Sequence, residues 1–144
     1  MSTEQNSAND TIVVGVDTSP ESVTALRWAA ELASRTGAKL LAVHAEGLLE
    51  EGAFVPHVDV VSLVSETLSG SAALAGLTSL VEPGTPSDAL IRVARRAGSN
   101  HIVVGHRGTG DTGSDIGSTA LALVSRSTIP VTVVRGVDPE RISP

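Results

Sequence analysis

Five short apolar runs, rich in β-branched residues, set the limits on what this chain can fold into. They are Thr11–Val16 (TIVVGV), Lys39–Ala45 (KLLAVHA), Leu77–Val81, His101–Gly105 (HIVVG) and Pro130–Arg135 (PVTVVR). Near-continuous runs of this kind suit strands buried on both faces of a parallel sheet. Between them apolar residues recur at helical spacing, Val23, Leu26, Ala30 and Ala33; Leu90, Val93, Ala94 and Ala97; Ile116, Ala120, Leu123 and Val124, and the positions Val60, Leu63, Val64, Thr67, Leu68 and Ser71 suggest a further helix. The alternation predicts an α/β single-domain sandwich with right-handed crossovers around a five-stranded parallel sheet.

Local chemistry marks the helix ends. Ser19 reads as an N-cap, with Pro20 in the first helical position and Glu21 in the first turn, and Gly37 as the stop. Thr85, Pro86 and Asp88 repeat that start after a turn at Pro83-Gly84, and Gly98 ends the helix. The second helix starts from Asp59 and is interrupted by Gly70, and the fourth spans Asp115–Ser127. Residues 1–10 are expected to be a disordered lead-in, 11–136 the domain, and 137–144 a flexible tail.

Two strand orders fit five such strands, the flavodoxin-like 2-1-3-4-5 and the half-Rossmann 3-2-1-4-5. In the second, strands one and four are neighbours at the point where the winding reverses, and ligands bind beyond the carboxyl ends of strands at such a point. The loop after strand one carries Asp17, and the loop after strand four opens with Gly105. Bringing these two loops into one crevice favours 3-2-1-4-5.

The stretch His101–Ser118 (HIVVGHRGTGDTGSDIGS) is the most site-like in the chain. Strand, glycine-rich loop and helix start present backbone N–H groups and a positive helix end to an anion. Two familiar patterns inside it fail. Gly108-Thr-Gly110-Asp-Thr-Gly113 has the G-x-G-x-x-G spacing, but it follows the fourth strand and Val133 stands where an acid is required. Asp111 and Ser114 stand where a P-loop needs lysine.

Other function classes are narrowed by composition. A formal net charge of −6 gives no basic footprint for DNA or RNA. Trp28 and Phe54, the only aromatics, provide no stacking platform for single strands. Zero cysteines removes disulfides and thiolate chemistry, and fits a reducing compartment. No run approaches the roughly 18 apolar residues of a membrane span, and the polar, base-free N-terminus is unlike a secretory signal, so a cytoplasmic protein is expected. His44, His57, His101 and His106 lack the spacing of a metal site. His44 and His101, at strand ends, read as structural, whereas His106 lies where it could reach a ligand. No G-x-S-x-G elbow occurs.

Four pieces in order, VGVDTSPES, VEPGTPSDAL, Gly105-x-x-Gly108 followed after eight residues by Gly117-Ser118, and IPVTVV, closely resemble the universal stress protein family over residues 11–136. The resemblance implies strand order 3-2-1-4-5, dimerisation, and a stress-linked sensor or regulator binding an adenine nucleotide, ATP first. Any hydrolysis is expected to be slow, because the sequence shows no convincing general base or P-loop lysine. By this resemblance Asp17 contacts the adenine and Val43 lines it with its backbone. Gly105, Arg107 and Gly108 follow the ribose and phosphates. Gly117, Ser118 and Thr119 supply donors at the fourth helix. The last strand, Val131–Val134, pairs with its copy in a homodimer, and a regulatory protein partner reads the nucleotide state.

The chain departs from the family's G-x2-G-x9-G-S/T signature by one residue in the gap, and that gap carries Asp111 and Asp115. These carboxylates either repel phosphate, bridge to it through Mg²⁺, or point to solvent, Asp115 then capping the fourth helix. Besides a nucleotide-binding regulator, two further readings stay open: a dimeric scaffold that no longer binds nucleotide, and a small Mg²⁺-dependent nucleotide hydrolase.

Overall fold

Strand β1, Thr11–Gly15, lies at the centre of a five-stranded sheet of order β3-β2-β1-β4-β5, paired in parallel with β2 (Lys39–Gly47) on one side and β4 (His101–Gly105) on the other. The computed structural model describes residues 10–47, 50, 58–108 and 116–136. The expected lead-in and tail lie outside those residues, except for Asp10. Strands β3 (Leu77–Gly84) and β5 (Val131–Val134) form the edges. This is the expected order. Ile12, Val13 and Val14 of β1 are fully enclosed, because helices cover both faces of the sheet.

One face packs against helices α1 (Pro20–Thr36) and α2 (Val60–Thr67), the other against α3 (Pro86–Ala97) and α4 (Ser118–Arg126). The α1 stripe Ala25, Leu26, Ala29, Ala30 and Ala33 is buried against Ile12, Val14 and Leu40. Small residues let the helix approach the sheet, so Leu26 fills much of the space. Truncating a buried leucine of this kind costs about 2–5 kcal/mol. Of the described residues, none forms a helix long and apolar enough to cross a membrane.

The α1 start is the one read from sequence: the Ser22 N–H donates to Ser19 Oγ at 3.2 Å, Pro20 takes the first position, and Gly37 ends the helix at φ 75°. Several details differ from expectation. Strand β3 does not turn at Pro83-Gly84 but pairs through them with Glu46 and Gly47, because an edge strand tolerates the missing N–H of proline. Helix α2 is capped by Asp59 as expected but closes at Leu68, before Gly70, and Ser71 then caps a 3₁₀ turn, Ala72–Gly76.

Thr85 occupies the N-cap of α3 without a capping hydrogen bond from its side chain. The Glu50 carboxylate does that work from another loop, accepting the Ser87 N–H at 2.6 Å. Gly117, not Asp115, is the N-cap of α4. Asp111 and Asp115 themselves lie outside the described residues.

Ion pairing ties α3 to the sheet edge. Glu82 of β3 accepts from Arg92 Nε at 2.9 Å and Arg96 Nη2 at 3.0 Å. These guanidiniums sit one helical turn apart, so one carboxylate engages both. They hold the Glu82 carboxyl at about 2 against an ordinary 4.5, the Arg96 hydrogen bond contributing most and Arg92 next.

Candidate functional site

The loops after β1 and β4 meet, as expected, beyond the carboxyl ends of those strands. They enclose a small crevice lined by Gly15, Val16, Asp17 and Ser22 from one side and Val104, Gly105, Arg107 and Gly108 from the other, with Leu90 of α3 and Thr119 of α4 closing it. Five residues singled out from sequence therefore share one site: Asp17, Gly105, Arg107, Gly108 and Thr119. Ser118 stands beside Thr119 in the first turn of α4.

Asp17 is held by the lead-in to α1. Its Oδ1 accepts the Ser19 N–H at 2.8 Å and the Ser19 hydroxyl at 2.5 Å, while its own N–H donates to Ser22 Oγ at 2.8 Å. A short polar side chain that bonds the backbone two residues on is the usual way to turn a chain from strand into helix. The same network fixes the carboxylate at the crevice mouth.

Gly105 has a requirement of its own. A Cβ there would stand 2.8 Å from the carbonyl carbon and oxygen of Glu21, so the first turn of α1 rests directly on the end of β4. Across this contact Arg107 Nη2 meets Glu21 Oε2 at 3.3 Å. The Arg107 Nε is shielded from solvent and has no hydrogen-bond partner among the described residues.

Other expected residues stand differently. Val43 is buried within the sheet core, and its carbonyl accepts the Val16 N–H at 2.9 Å; it is not among the residues that line the crevice. The Gly117 N–H is committed to the His106 carbonyl at 2.6 Å. His106 does not reach into the crevice through its ring Nδ1, which accepts the Gly136 N–H at 3.2 Å. Glu21 is a member of this neighbourhood that spacing arguments missed. Glu21 read as a first-turn acid, and no local signal marks a partner 86 residues away.

His44 and His101 are structural, and His57 lies outside the described residues. His44 Nδ1 contacts the Val16 carbonyl at 3.0 Å within the core. His101 Nε2 contacts Thr132 Oγ1 at 2.5 Å, and its ring meets Trp28 edge-on with centroids 6.1 Å apart. Burial moves the His101 pKa down.

The crevice is tight. Its free space is about 50 Å³, enough for a water or two and well below the ~300 Å³ of a small-molecule pocket.

A family model for universal stress proteins matches residues 8–135. The chain belongs to the universal stress protein family. Solved members of the family share its fold. A universal stress protein from Archaeoglobus fulgidus is 28% identical with a TM-score of 0.68, the match covering 92% of this chain and 46% of that longer one. A universal stress protein in complex with cAMP is 26% identical with a TM-score of 0.66, covering 87% of this chain and 95% of that one. A family member from Arabidopsis thaliana with AMP bound is 17% identical with a TM-score of 0.65, covering 91% and 94%. No curated protein sequence matches the chain.

Proposed function

We propose that this universal stress protein is a cytoplasmic sensor or regulator that binds an adenine nucleotide, ATP first, in the crevice between β1 and β4. The observation that carries the reading is the convergence of Asp17 with Gly105, Arg107, Gly108 and Thr119 at the switch point. An anion there meets the Arg107 guanidinium and the start of α4, both favourable to phosphate. Two similar proteins hold cAMP and AMP respectively, which supports an adenine nucleotide. Adenine falls to the Asp17 side and phosphates to the Arg107–Ser118 side.

Entry of a nucleotide requires the crevice to widen, and the Glu21–Arg107 pair is the first contact to yield. Occupancy then shifts the population of crevice conformations that a regulatory partner reads. Hydrolysis is slow or absent in this reading. The chain has a single lysine, Lys39, at the start of β2 beside Thr11 and so at the far end of the sheet from the crevice.

The chain works as a homodimer through β5. Pro130 O accepts from Ile102 of β4 and Val134 O from His106 just past it, so by the strand's period of two the backbone groups of Val131 and Val133 face the open edge. Leu121 and Val124 of α4 are exposed apolar residues.

The narrowness of the crevice favours a second reading, a dimeric scaffold that binds no nucleotide. Equilibrium binding of ATP, ADP, AMP and cAMP, each with and without Mg²⁺, separates the two. Saturable binding of one of them is expected, and failure of all four leaves the scaffold. Phosphate release that depends on Mg²⁺ would instead support a hydrolase using Asp111 or Asp115.

A further inference from the structure

His106 joins three parts of the molecule that are remote in sequence. Its N–H donates to the Val134 carbonyl at the end of β5, at 2.9 Å. Its carbonyl accepts from Gly117, the N-cap of α4. Its ring Nδ1 accepts the Gly136 N–H just beyond β5, at 3.2 Å. The residue is only 7% exposed and stands between Gly105 and Arg107, both of which line the crevice.

The ring contact fixes a protonation state. A backbone N–H can only donate, so Nδ1 must offer its lone pair, and the neutral ring carries its proton on Nε2. A second proton would set one N–H against another and abolish the bond. Among the described residues, the charged groups around it are Glu21 from α1, whose carboxylate flanks Gly136, Arg107, which pairs with Glu21, and Arg135, next to Gly136 on the exposed side of the chain.

We propose that His106 is a positioning residue that couples the crevice loop to the exit of β5 and the start of α4 through a proton-sensitive bond between Gly136 and its ring. While the ring is neutral, the loop, the edge strand and the helix start form one unit. Protonation frees Gly136 and leaves the backbone bond from His106 to Val134 to tie the loop to the edge strand. This coupling belongs to the protein alone and needs no nucleotide in the crevice.

Two NMR measurements on the full chain test it. Long-range ¹⁵N–¹H correlation of the His106 ring should show the Nε2–H tautomer at about pH 8, the upper end of the histidine range; an Nδ1–H tautomer overturns the proposal. Amide hydrogen exchange, expressed as protection factors, tests the coupling. Loss of the bond should lower protection of Gly136 about fivefold, with parallel losses at Gly117 and His106, both in the wild type taken to about pH 5 and in H106A at either pH. H106N places an unprotonatable acceptor near the Nδ1 position, so it should keep protection at both pH values. A loss confined to Gly136 would make the bond a local cap, and a pH response retained in H106N would assign it to another group; either result overturns the proposal. Should H106A fail to fold, the wild-type and H106N arms decide.

Discussion

The absent side chain of Gly105 is matched to the backbone of Glu21. A Cβ on Gly105 would lie 2.8 Å from the Glu21 carbonyl, closer than atoms of a packed interior approach. The end of β4 and the first turn of α1 are thus seated on one another, and the Glu21–Arg107 ion pair crosses the same seam. The site loop is shaped first by the protein's own packing.

Gly105→Ala should therefore destabilise the protein with no nucleotide present. Backbone cannot yield as a flexible side chain can, so a cost of about 1–3 kcal/mol is expected. Urea unfolding followed by circular dichroism measures it. An unchanged midpoint would mean that the glycine serves a ligand and not the seam.

Glu82 gives stability a pH dependence of definite sign. Its folded-state pKa is about 2 and its ordinary value 4.5. The contribution of the carboxylate is complete above about pH 4.5 and disappears as pH falls toward about 2. Glu82→Gln should be less stable than the wild type at neutral pH, and its stability should fall less steeply through that window. Parallel acid-denaturation curves for the two proteins would contradict the role given to Arg92 and Arg96.

The open edge of β5 provides a test of assembly. Val133→Pro removes an N–H that faces outward while leaving the bonds to β4 in place. Sedimentation at one concentration should show a dimer for the wild type and a monomer for the variant. A dimer in both would place the interface elsewhere.

Much of the fold was legible because its signals are local. The β-branched runs mark the strands, Ser19-Pro20 and Gly37 bracket α1, and the switch-point argument from Asp17 and Gly105 selects the strand order. What escaped depends on context. Pro83 reads as a turn unless its strand is known to be an edge. Glu50 caps α3 from 37 residues away, and nothing near Thr85 announces that its own side chain leaves the capping to another. The glycine loop announced a close approach at Gly105 correctly, but the approaching group is the backbone of α1. His106 read as able to reach a ligand because it sits in the glycine loop, and only the fold brings Gly136 to its ring.

The nucleotide site is the central claim, and mapping ATP onto ¹⁵N-labelled protein tests it most directly. Saturable chemical-shift changes are expected at Gly15–Asp17, Gly105–Gly108 and Ser118–Thr119, with a weaker response in Arg107→Ala because the guanidinium is lost. No change at any of the three segments, or changes confined to other surfaces, would contradict the account.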